Sequence, residues 1–292
     1  MPEMGHFDTS LGHEFKRDVP VPRILIGRSH HILQGGKYMN IFESGLNSGN
    51  LIVTSILVIG LLYISSKARM LDKKGANAAA VLGAIVGGLG HWTWLLILLG
   101  FLVCSHKATK WRFDEKAELG MCESNDGHRG WTNVVANGAI PGLMCVFAYL
   151  SGDYDAWIWM FGAAVAVAAS DTFASEIGCM DTRVRMITTF KPCQQGENGG
   201  FSPNGQLAAI VGSSVVAILT LGAWALTAED SAFNEGLRLG GILAVIGWLG
   251  CQIDSYLGAL LENRGYLTKG SVNALAITGG VMMMWIYTGM PL

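Results

Sequence analysis

The sequence predicts an all-α fold, a polytopic transmembrane bundle of seven or eight helices, and three observations carry that expectation. Only 14% of the 292 residues are charged, against about 25% in a soluble domain. The charges fall in a few blocks, and the apolar stretches between them approach the ~20 residues that cross a hydrocarbon core. Glycine is abundant, at 39 residues, as expected where helices must approach closely without water to drive them together.

Taken in order, the helices are predicted over 51–66, 76–90, 92–104, 133–150, 156–170, 206–227, 237–253 and 272–290. The first is the uniformly apolar run "LIVTSILVIGLLYISS". The next two are short and meet at "GHW" around His91. They read as a tilted hairpin or a re-entrant pair, which leaves the number of spans at seven or eight. The stretch 156–170, "AWIWMFGAAVAVAAS", is lined with alanine and glycine and reads as a packed central helix. The last three predicted helices alternate with polar connections. In the last of them, Met282, Met283 and Met284 read as packing or lipid-facing side chains.

The chain therefore divides into a polar N-terminal tail, 1–50, and a single transmembrane domain, 51–292. The tail has no apolar core of the signal-peptide kind. Threading the helices alternately puts the loops 67–74, 105–132, 171–205 and 254–271 on one side, with most of the lysine and arginine. The positive-inside rule makes that side cytoplasmic. Lys16, Arg17, Arg23, Arg28 and Lys37 of the tail would then lie outside, a conflict that a start at Met39 removes.

Composition also excludes classes. A net charge of −2 with no basic stripe interleaved with aromatics argues against nucleic-acid binding. The six cysteines form no C-x-x-C pair, and three lie in apolar runs, so neither a disulfide framework nor a zinc site is expected.

The candidate site begins at "SDTFASEIG", Ser170–Gly178. If the helix runs past Ser170, Asp171 and Ser175 share one face at i,i+4, with Thr172 and Glu176 on the adjacent stripe. Ionisable groups at a membrane edge usually face a polar cavity or an ion. The plain alternative is a pair of solvated acids at a helix end. Magnesium suits the pattern, since it is held by one or two carboxylates while it ligates phosphate oxygens. Asp171 and Glu176, joined by Asp254 from "QIDSYLGALLENRG", are the candidate metal ligands. Asp254 and Ser255, followed by an aromatic, echo Asp171, Thr172 and Phe173, which hints at a weak internal repeat.

Downstream, "KPCQQGENGGFSPNGQLAA" supplies Gly199, Gly200, Ser202 and Gly205 just before a helix start, a pattern that makes anion sites. Lys191, with Arg183 and Arg185 nearby, adds positive charge. It is not a Walker A loop, and an ordinary interhelical turn is the competing reading. Arg129 in "GHRGWTNVVANG" is placed to take a phosphate bidentately. Asn137 and Asn273 head inward as pocket residues or as interhelical glue, together with Asn77 and Asn133. Lys107 and Lys110 read as snorkelling to lipid phosphate, and His106 and His128 as loop histidines.

The ordered stretches "RGWTNVVANG", "ASDTFASEIG", "GENGGFSPNG" and "IDSYLGA" with "VNALAITGG" resemble the motifs of an integral-membrane family that includes the plant phytyl-phosphate kinase of tocopherol synthesis and animal transmembrane protein 19. The likeness spans about residues 70–290. It implies phosphoryl transfer from a nucleoside triphosphate, ATP or CTP, to an isoprenyl or phytyl monophosphate. Asp171 and Glu176 would be the central acids, Gly199, Gly200 and Ser202 the phosphate loop, and Asp254 and Asn137 pocket residues. Glu197 in "CQQGEN" departs from the small residue expected there and adds negative charge to that loop. Interior asparagines, glycines and the repeat also fit a lipid transporter or flippase, and hydrophobicity alone fits a structural subunit. Acids gathered at one end of the helices favour the enzyme, because transporters place their polar groups near the midplane.

Overall fold

The computed structural model describes residues 40–122, 127–227 and 233–290. Residues 1–39 of the predicted tail, and with them a start at Met39, lie outside the described residues, while 40–50 are described and the first helix already begins within them at Ser48.

Among the described residues nine helices follow in chain order: α1 Ser48–Ala68, α2 Lys73–Ile85, α3 Trp92–Lys110, α4 Phe113–Glu118, α5 Trp131–Ser151, α6 Tyr154–Gly178, α7 Pro203–Ala225, α8 Phe233–Leu257 and α9 Lys269–Thr288. Seven of them, all but α2 and α4, are long and apolar enough to cross a membrane. The predicted helical bundle is what forms. Its one sheet among the described residues is a two-residue antiparallel pair, β1 Arg185–Met186 with β2 Gly200–Phe201.

The helices begin where side chains can satisfy free amides. Asn47, Asp72, Asp153, Ser202 and Thr268 cap α1, α2, α6, α7 and α9. α2 ends in a wide π-type turn, Val86–Gly90, where Gly87 has no room for a side chain: a Cβ would sit 2.4 Å from Thr54 of α1. Asn50 closes this corner by donating to the Gly45 and Gly87 carbonyls, both at 2.7 Å. His91 then starts α3 in extended backbone, so α2 and α3 are joined by a sharp turn at the predicted corner.

Three predicted ends were too early. α3 runs on through Lys107 and Lys110, α6 continues eight residues beyond Ser170 to Gly178, and α8 runs past 253 to Leu257, which puts Asp254 and Ser255 on the helix rather than in the loop. Hydropathy falls there, but a helix needs only its own hydrogen bonds, and Ser175 satisfies its hydroxyl on the Thr172 carbonyl at 3.1 Å.

α6 is the centre. Of its most apolar window 78% is buried, against 17% for α1, so α6 is packed on all sides while α1 lies at the rim. Small residues allow this. A Cβ on Gly212 of α7 would come 2.7 Å from the Ala169 carbonyl, and one on Gly247 of α8 would come 2.8 Å from the Ala166 Cβ. α6, α7 and α8 therefore meet nearly backbone to backbone.

Candidate active site

Where α3 and α6 end and α5, α7 and α9 begin lies a small polar cleft, about 220 Å³ with the solvent space at its mouth counted. α6 contributes Asp171, Thr172, Ser175 and Glu176; α5 and its lead-in contribute Arg129, Asn133 and Asn137; α9 contributes Lys269 and Asn273. The continuation of α6 as a helix is what projects its four residues inward. Arg129 is fixed by its backbone: its amide donates to the Met70 carbonyl at 3.1 Å and its carbonyl accepts from Asp72 at 3.2 Å. Its guanidinium reaches Asn133 Oδ1 at 3.3 Å and Thr109 Oγ1 at 3.4 Å.

Asp254 of α8 is not part of this lining, but its carboxyl is within hydrogen-bonding reach of Asp171 and close enough to Lys269 to feel its charge. The Asn273 amide lies 3.3 Å from Asn137 Oδ1. Turned over, it donates to Asp254 Oδ2 at 3.2 Å and to the Lys269 carbonyl at 3.0 Å. Two acids from different helices thus converge beside a lysine and an arginine.

Glu176 has other partners. It is paired with Lys116 of α4 at 2.7 Å, with only 1% of the lysine side chain exposed. Lys116 Nζ also donates to the Thr109 carbonyl at 2.8 Å, and the Thr109 hydroxyl donates to Glu176 Oε1 at 2.6 Å. A buried carboxylate held by an ammonium and a hydroxyl braces α4 against α6, and its charge is already balanced.

The glycine-rich segment lies apart from the cleft lining. Ser202 is buried and caps α7, accepting from the Gly205 amide at 3.2 Å. Gly205 packs on Gly178, Cα to within 3.2 Å of where a Cβ would stand. Gly199, at φ +83, lies where a Cβ would come 2.5 Å from Ala259 and 2.9 Å from the Ser255 carbonyl. Gly200 pairs in the small sheet, and Lys191 is exposed beyond it. Asp181 ties this segment down: it accepts from Arg183 Nε at 2.9 Å and from the Asn204 amide at 3.1 Å. The Arg183 guanidinium holds its carboxyl well below the usual carboxylate range. The glycines here are spent on turns and on packing against α6 and α8.

Of the residues singled out from sequence, the cleft gathers Asp171, Thr172, Ser175, Glu176, Arg129, Asn137 and Asn273, with Asp254 outside the lining but within reach of Asp171. It does not include Lys191, Gly199, Gly200, Ser202, Gly205 or Ser255 in its lining. Two lysines were missed. Lys269 stands four residues before Asn273, on the same helical face, a spacing that could have flagged it. Lys116 carries no such signal, because its partner is 60 residues away.

Among the described residues no three or more His, Cys, Asp or Glu side chains form a metal-binding group. The Asp171–Asp254 pair still fits magnesium, which takes one or two carboxylates and completes its shell with phosphate oxygens and water.

Beside the Arg129, Asn133 and Asn137 stripe lies a second, apolar pocket lined by α1, α2, α3 and α5 and open on one side, about 590 Å³ with its open mouth counted. The three residues line both spaces.

A seven-span bundle with a charged, amide-lined cleft opening at one end of its helices defines a multi-pass integral membrane protein with a built polar site. The chain belongs to the DUF92 family of integral membrane proteins, whose sequence pattern matches residues 56–283. It is similar to an uncharacterized membrane protein of Methanocaldococcus jannaschii, 28% identical over 81% of this chain and 94% of that one. It is also similar to two Arabidopsis thaliana proteins. Protein PGR is 29% identical over 74% of this chain and 80% of its own length. The chloroplastic protein VTE6 is 26% identical over 85% of this chain and 77% of its own. No solved structure matches the chain.

Proposed function

We propose that the chain is a membrane-embedded kinase that converts an isoprenyl or phytyl monophosphate to the diphosphate, using a nucleoside triphosphate, ATP or CTP, and Mg2+, with its cleft on the cytoplasmic side. The observation that carries this reading is the meeting of Asp171 with Arg129 and Lys269 in one amide-lined cleft, with Asp254 outside the lining but within reach of Asp171. Acid pairs hold a hard cation and fixed cations hold phosphate, so the set serves a phosphate ligand bound with a metal. The resemblance of the four ordered motifs to the family of the plant phytyl-phosphate kinase supports the same reaction.

Asp171 and Asp254 would hold the magnesium, which neutralises charge on the phosphate oxygens when bound. Arg129 would grip the lipid phosphate from the α5 side and Lys269 the transferred group from the α9 side. Asn137 and Asn273 would orient non-bridging oxygens. A lipid phosphate oxygen attacks the terminal phosphorus of the nucleotide, and the electrons of the broken bridging bond leave with the nucleoside diphosphate. The nucleophile is already ionised, so positioning and charge neutralisation suffice and no strong general base is required. Glu176 braces the cleft through Lys116 and is given no metal in this scheme.

The test is direct. Purified protein in nanodiscs, given geranylgeranyl monophosphate, Mg2+ and terminally labelled ATP or CTP, should form labelled diphosphate. Asp171→Asn should lower turnover at least about a hundredfold, the scale of losing one electrostatic group at a reacting phosphate, while its unfolding temperature stays near wild type. Folded protein that yields no diphosphate with either nucleotide, yet moves labelled lipid phosphate across a vesicle membrane, would put a flippase in its place.

A further inference from the structure

The apolar cavity beside the cleft meets it along one helical stripe. Arg129, Asn133 and Asn137 present polar atoms to the cleft and border the cavity with the same residues. Beyond them the cavity wall is hydrocarbon, with Ala79 and Leu82 from α2 and Leu95, Leu99 and Leu102 from α3. A ligand that used both spaces would need an anionic head and an aliphatic tail joined within the width of α5. Since the reading above supplies such a ligand, the inference rests on it.

The depth of the cavity limits how much tail it takes. Along α3 the wall extends from Leu102, at the end nearer Thr109 and Arg129, to Leu95. Seven residues of helix rise about 10 Å. An extended chain of single bonds advances about 3.4 Å per three bonds, so that depth takes about nine bonds, which is two isoprene units. We infer that the cavity between α1, α2, α3 and α5 is the tail site, that it receives the two isoprene units next to the phosphate, and that the remainder of the tail lies outside it among the bilayer lipids. Selectivity then falls on the first ten carbons. Tail length beyond them is not read.

Ala79 is the natural place to test this, since it is buried, borders the cavity and takes no part in the cleft. Efficiencies for geranyl, farnesyl and geranylgeranyl monophosphate should agree within about threefold, and dimethylallyl monophosphate should be at least tenfold poorer. Ala79→Phe should narrow that gap to less than threefold by excluding the second unit, whereas Leu99→Ala, which only enlarges the space, should leave the ten-carbon substrate preferred. A measurement without turnover separates the two ideas. A geranyl monophosphate probe with a diazirine at its tail end should, on illumination without nucleotide, label the peptides containing Ala79–Gly83 and Leu95–Leu102. Labelling there with no diphosphate formed would remove the kinase and keep the tail site. Diphosphate formation with labels confined to other helices, or efficiency that keeps rising from ten to twenty carbons, would overturn the tail site and keep the kinase.

Discussion

Replacing Lys116 by methionine is the sharpest probe of how the cleft is braced. The lysine is 1% exposed and its ammonium lies 2.7 Å from Glu176, with further bonds to the Thr109 carbonyl at 2.8 Å and the Ala108 carbonyl at 3.3 Å. Methionine fills most of the volume but leaves the Glu176 charge without its counter-ion. Stranding one member of a buried pair costs about 3–5 kcal/mol. The Thr109 hydroxyl, 2.6 Å from Oε1, remains as a donor, which places the loss near the low end, about 3 kcal/mol. At about 2–4 °C per kcal/mol for a chain of this size, the unfolding temperature should fall by roughly 6–12 °C. Tryptophan fluorescence during heating in detergent would read it. The double variant Lys116→Met/Glu176→Gln removes both charges and should recover most of the loss, since an apolar and a neutral group together cost far less than a lone buried charge. The reasoning is refuted if Lys116→Met melts within about 1 °C of wild type, or if the double variant is no more stable than the single one.

Other outcomes follow from the same geometry. Ser202→Ala removes the cap of α7 and should cost about 1 kcal/mol in unfolding measurements, with the KM for lipid phosphate unchanged; a large KM increase would return the glycine segment to phosphate binding. Asp181 is held ionised by Arg183 and the Asn204 amide, so its folded affinity for protons is depressed. Its stabilising contribution is present at neutral pH, above the ordinary carboxylate range, and is lost as pH falls through its lower folded value. Melting curves of wild type and Asp181→Asn should therefore differ at pH 7 and converge under strongly acidic conditions. Gly247→Leu would drive a side chain into Ala166 and Ser213 and should destabilise by about 1–3 kcal/mol, measurable by the same fluorescence assay.

The bundle was legible because lipid forces a long apolar run to become a helix, and hydropathy reads such runs directly. The ends of α3 and α6 were less legible, since Lys107 and Asp171 lower hydropathy without breaking a hydrogen bond. In the cleft, Asp171, Arg129, Asn137 and Asn273 stood out because a polar side chain at a helix end is costly unless it has a partner. The glycines of 196–205 look alike in sequence whether they cradle an anion or admit a neighbouring backbone. Only the approach of Gly199 to Ala259 and of Gly205 to Gly178 tells these apart. Lys116 was illegible, because its bond to Glu176 joins elements that only the folded chain brings together.

The glycine seams around α6 have a consequence for how this protein can vary. Where two backbones touch there is no slack, so the stretches of α6 and α8 that carry Asp171 and Asp254 are held at a fixed backbone separation. Under the proposed function, a change of tail would therefore be absorbed by α1 and α2 at the rim, where a substitution meets yielding side chains or lipid, while the backbone beneath the acids stays as it is.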